Sequence, residues 1–134
     1  KKLLDTQNFP FSYWVNQEIE KIRNQENTPI DFFPDFLHRG FYYEQLERYY
    51  QFFPVENILV IEHRELKNNR ISTLRKIEQF LNISYVDWNT INLDDKFVSQ
   101  YNVKLPSDIR NKLKAFFKPY NEKFYKLIKR NFDW

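Results

Sequence analysis

The sequence predicts an α/β chain that is mostly helical, with one strand of parallel type at about residues 57–62. Three observations predict this. Apolar residues recur at three- and four-residue spacing through most of the chain, one short β-branched run interrupts them, and prolines punctuate the joins. At 134 residues, 42% hydrophobic and 19% aromatic, residues 1–134 suit a single segment whose interior is filled by rings more than by aliphatic side chains.

The elements follow in order. Phe11 to Arg23 sets Trp14, Val15, Ile19 and Ile22 on one side of a helix, and the polar run from Asn24 to Pro29 reads as a loop. After Pro29 and Pro34, a helical pattern runs from Phe41 to Phe53 and stops at Pro54, with Leu46, Tyr49, Tyr50 and Phe53 on one face. Asn57-Ile58-Leu59-Val60-Ile61-Glu62 is short, β-branched and apolar, as the buried strand of a parallel sheet is. Ile71, Leu74, Ile77, Phe80 and Leu81 return the chain to helix from Asn69 to Leu81. From Asn82 to Leu105 polar residues dominate without a period, which predicts a long loop. Pro106-Ser107-Asp108 starts a helix, and Pro119 suits the first turn of a second one that runs through Ile128. One strand cannot satisfy its ladder groups alone, so its partner strands are expected outside the 134 residues.

Composition excludes several function classes. With no cysteine, disulfides, thiolate metal sites and cysteine nucleophiles are ruled out, and two histidines leave little for other metal chemistry. A single glycine excludes a Walker-type or dinucleotide-type phosphate loop. The net charge of +3 is too small to argue for nucleic acid, although it suits an anionic ligand. No run approaches a membrane span, so the segment reads as soluble, and a cytoplasmic location is expected unless the full-length protein carries a targeting or membrane segment.

Arg39-Gly40-Phe41-Tyr42, Gln45-Leu46, Tyr49, Phe53-Pro54, the aliphatic run Ile58 to Ile61 and Glu65-Leu66 occur in an order that resembles the PAPS-dependent sulfotransferases. The likeness continues through Leu74, Ile77, Phe80 and Leu81, and through Phe117-Lys118-Pro119-Tyr120-Asn121-Glu122 to Phe132-Asp133-Trp134. It covers about Phe11 to Trp134. Asn82 stands where the family usually has Gly, and Asn also tolerates the left-handed conformation that stops a helix.

The resemblance implies the C-terminal part of a P-loop-NTPase-like sulfotransferase fold, of bacterial or heparan type, acting with PAPS as co-substrate and PAP as product. It implies that the donor-sulfate loop, its catalytic lysine and the acceptor base lie upstream, in the N-terminal half of the same domain, so no catalytic residue is expected in this chain and the segment alone is expected to be inactive. It assigns a donor-contacting loop to Lys96–Lys104, with Phe97 stacking on adenine and Lys104, Tyr101 and Asn102 contacting phosphate. Arg39, Gly40 and Tyr42 are the residues expected beside the acceptor or donor cleft. The acceptor, a carbohydrate or a small molecule, is not named by the sequence.

Plainer readings stand beside these. Arg39 to Tyr42 also reads as an ordinary helix entry in which Gly40 permits a backbone angle or a close approach. His38 and His63 show no orienting partner in the sequence and read as non-catalytic. Asp94 and Asp95 read as solvated acids. Lys112, Lys114, Lys118, Lys123, Lys126, Lys129 and Arg130 read as a solvated basic face. The aromatics Tyr42, Tyr43, Tyr49, Tyr50, Phe52 and Phe53 read mostly as core. The alternative to an enzyme fragment is a non-catalytic helical interaction module, and pairing of residues 57–62 in a parallel sheet is the feature that separates the two.

Overall fold

The structure is a computed structural model that describes residues 10–24, 36–94, 104–132 and 134. These form two compact units, one from Lys1–Tyr49 with Leu105–Trp134 and one from Tyr50–Lys104.

The first unit is built on α1 (Phe11–Asn24), α2 (Tyr42–Tyr50) and the long α5 (Ser107–Ile128). Its core joins Val15 and Ile19 of α1 to Leu37, Phe41, Ile109 and Phe116, so the apolar side predicted for α1 is the side that packs. Between α1 and α2 a 3₁₀ turn at His38–Gly40 leads into the helix, as the helix-entry reading of Arg39 to Tyr42 expects. Phe41, at the end of that turn, stacks on Tyr120 with ring centroids 4.0 Å apart and meets Phe117 edge-on at 6.1 Å. Aromatic pairs in these geometries add to the energy of burial alone. A second ring cluster forms where Trp134 stacks on Phe124 and Phe132, closing the C-terminal end against α5.

Two expectations are corrected by these helices. Pro119 does not begin a new helix: α5 runs unbroken over 22 residues with Pro119 inside it. The flanking rings, Phe116, Phe117 and Tyr120, all pack on Phe41, and this tertiary contact holds the helix together across a residue that lacks an amide donor. The aromatic run of α2 is not mostly core either. No residue of α2 is buried, Tyr42 and Tyr49 are exposed, and Phe52 and Phe53 fall beyond the end of the helix, Phe52 being 78% exposed. Helical period places side chains on one face but does not supply a surface to cover it.

In the second unit the described elements are α3 (His63–Asn68) and α4 (Arg70–Leu81), which pack on each other, and a 3₁₀ turn at Trp88–Thr90. The Glu62 amide donates to Glu65 Oε2 at 3.4 Å at the start of α3, a helix that the sequence reading did not separate from its surroundings. Thr73 is nearly inaccessible, and its hydroxyl donates to the carbonyls of Glu65 and Asn69, fastening α4 under α3. At the other end α4 stops on Asn82, whose φ of 49° is left-handed as the sequence predicts. The Asn82 amide reaches the carbonyl of Gln79 and the Ile83 amide that of Glu78, the paired bonds of a Schellman stop.

The strand expected at about 57–62 meets no partner strand among the described residues, and its first residue falls in a turn. Asn57 belongs to a 3₁₀ turn, Val55–Asn57, and although Ile58 and Glu62 have extended backbone angles, no sheet ladder forms among the described residues. Extended angles are a property of the residue, whereas a strand needs a second chain segment alongside it to bond its amides and carbonyls. Over residues 83–94 the predicted loop holds no regular element beyond the 3₁₀ turn at Trp88–Thr90.

Candidate functional site

The turn carrying Arg39, Gly40 and Tyr42 is fixed from below by α1. Glu18, only 6% exposed, accepts the Leu37 amide at 2.7 Å, so a buried carboxylate satisfies the backbone one residue before the turn begins. From the helix that follows, Gln45 Nε2 donates to the Arg39 carbonyl at 2.9 Å. Gly40 lies against the ring of Phe117, where an added Cβ would stand 2.7 Å from ring carbon Cε1. Its φ is not positive, so close approach rather than a left-handed backbone explains the glycine.

Two cavities open beside this turn. Gly40 and Tyr42 line a groove of about 850 Å³ along α5, with Arg110, Lys114, Lys118 and Trp134 among its walls. Arg39 lines a different cavity, of about 410 Å³, with His38, Glu44, Gln45 and Arg48. The three residues grouped by the sequence therefore divide between two surfaces. In the smaller cavity His38 Nε2 lies 3.2 Å from Glu44 Oε2, both side chains being about half exposed. That carboxylate partner lies six residues on and has no signature in the sequence. It comes from the 3₁₀ turn, which folds His38 back over the start of α2, and no residue pattern announces such a turn.

Of the residues assigned to the donor, Phe97, Tyr101 and Asn102 lie outside the described residues, and Lys104 is exposed. Asp95 is also outside them, while Asp94 is exposed and its amide is bonded to Asn92 Oδ1 at 2.8 Å. No group of three or more metal-ligating side chains occurs among the described residues. No helix among them is long and apolar enough to cross a membrane.

The segment leading toward the predicted donor loop is held by one buried acid. Glu78, 6% exposed, accepts the Val86 amide at 2.9 Å, the Trp88 indole N–H at 3.0 Å and the Arg75 guanidinium at 2.6 Å. Burial pushes its carboxyl up, but the hydrogen bond from Arg75, the Val86 amide, the Arg75 charge and the Trp88 N–H outweigh it and leave the pKa below the usual glutamate value. Arg75 also lies over the Tyr85 ring, 3.8 Å from its centroid, and Arg70 donates to the Leu93 carbonyl. Nothing in the sequence marks Glu78, because an acid in an amphipathic helix ordinarily faces water.

Residues 5–95 match the sulfotransferase domain family. The chain is 33% identical to the membrane-associated sulfotransferase kil1 of Dictyostelium discoideum, over 73% of this chain and 20% of that protein. It is 25% identical to heparan sulfate glucosamine 3-O-sulfotransferase 5 of Homo sapiens and 24% identical to that of Mus musculus, in each case over 69% of this chain and 32% of the relative. The chain thus spans a fifth to a third of the length of these relatives.

Proposed function

The chain belongs to the sulfotransferase family, and we propose that it is part of an enzyme that moves a sulfuryl group from PAPS to a hydroxyl or amine acceptor and releases PAP. In that transfer the S–O bond to the donor phosphate breaks as a new S–O or S–N bond forms. The acceptor's proton passes to a base, and the electron pair of the broken bond stays on the leaving phosphate. The donor-sulfate loop, the catalytic lysine and the base are assigned to sequence beyond these 134 residues. A single glycine cannot furnish a phosphate loop of Walker type, and the relatives are three to five times as long as the stretch they share with this chain.

Within the chain, Phe97, Tyr101, Asn102 and Lys104 are assigned to the adenosine and phosphate of the donor. Arg39, Gly40 and Tyr42 are assigned to the neighbourhood of the cleft. The match of residues 5–95 carries the sulfotransferase reading, while the donor assignments at residues 97–104 rest on the resemblance alone. The interaction-module alternative draws on one observation, that residues 57–62 form no ladder among the described residues. Calorimetric titration of the full-length protein with PAP separates the two. The enzyme reading expects saturable heat that weakens when Lys104 is changed to Ala, and an intact protein that gives no heat sinks it.

A further inference from the structure

Arg110, Lys114 and Lys118 stand four residues apart on α5, so their side chains leave one face of the helix in a row spaced about 6 Å along its axis. All three line the α5 groove, and none has a side-chain partner among the described residues. Among the described residues Glu122 is the one carboxylate in the lining, and much of the rest is apolar or aromatic, Tyr42 and Trp134 included.

We propose that this groove docks an acidic amphipathic α-helix of a protein partner. The charge calls for an anion, the rings call for apolar side chains, and the spacing chooses the scaffold. Carboxylates at i, i+4 and i+8 of a second helix repeat the same rise and meet all three cations in register, while the neighbouring apolar positions enter the groove. A sulfated polymer answers the charge without regard to this repeat, and an anionic bilayer lies across a concave surface instead of filling it.

The test is fluorescence anisotropy of the intact protein with two labelled peptides of identical composition, one carrying Glu at i, i+4 and i+8 beside Leu and one scrambled. The periodic peptide is expected to bind at least about tenfold more tightly. Lys114→Glu with Lys118→Glu abolishes that preference, and a peptide with Lys in place of Glu recovers binding to the variant, which shows that the variant is folded. Equal binding of the two peptides, no binding of either, or binding only to heparin or to phosphatidylserine vesicles overturns the proposal.

Discussion

Gly40 and Phe117 are in contact closer than any side chain on Gly40 would allow, the hypothetical Cβ falling 2.7 Å and 2.9 Å from two carbons of the ring. Phe117 cannot withdraw freely, because it also packs edge-on against Phe41 and Phe116. Gly40→Ala is therefore expected to destabilise the protein by about 1–3 kcal/mol, the usual cost of overpacking. The check is the urea midpoint at unchanged slope. Phe117→Leu in the same background is expected to return part of the loss, and additive effects of the two substitutions would show that the contact is not the cause.

Asn82 and Lys129 occupy the same place at the ends of α4 and α5, with φ of 49° and 52°. Arg130 donates to the Tyr125 carbonyl as Ile83 does to that of Glu78, so both helices close with the same long bond. The residues differ in suitability, since Asn visits the left-handed region readily and Lys pays the steric penalty of its Cβ. Lys129→Gly is expected to stabilise by about 1 kcal/mol and Asn82→Gly by less, measured as shifts in thermal midpoint. Equal gains at the two sites would show that residue type does not matter there.

Glu78 makes the second unit sensitive to acid. Its pKa is lowered in the folded state, so the stability it contributes is fully present above the ordinary glutamate value and is lost as pH falls below that value through the folded one. The Trp88 indole N–H, bonded to Glu78, reports the change directly. Its proton resonance is expected to move toward a solvent-exposed position on acidification, with Val86 and Trp88 losing hydrogen-exchange protection together. Glu78→Gln keeps an acceptor but loses the Arg75 ion pair, and it is expected to remove the pH dependence from this region. An unchanged acid profile in that variant would assign the sensitivity to another group.

These three sites show what the sequence made legible. Asn82 was readable because a single-residue backbone requirement has a residue signature, and the apolar stripe of α1 was readable because period and burial coincide there. Gly40 was half readable: one glycine in the chain marks a constraint, but only the fold shows that Phe117, 77 positions later, imposes it. Glu78 and the His38–Glu44 pair were not readable, since neither burial of an acid nor a turn that brings two side chains together follows from spacing. The run at 57–62 was readable only in part, because its composition describes extended backbone while a strand depends on neighbours that composition does not contain.

Pro119 gives the strongest test of how tertiary contacts override local preference in α5. Its ring leaves the Ala115 carbonyl without an amide four residues on, and a proline inside a helix costs about 3 kcal/mol against alanine. Part of this cost is offset by the smaller entropy of the unfolded chain, about 0.4–1 kcal/mol for such a substitution. Pro119 is itself exposed and Ala115 faces solvent, so water replaces part of the missing bond. Pro119→Ala is therefore expected to raise stability by about 1–2 kcal/mol, the remainder after those offsets, with no change in the Phe41–Tyr120 stack. Denaturant unfolding measures the first and near-ultraviolet circular dichroism the second. If the substitution destabilises the protein or loosens the ring stack, Pro119 itself helps aim Phe116 and Tyr120 at Phe41, and the proline is part of the packing rather than a residue the packing tolerates.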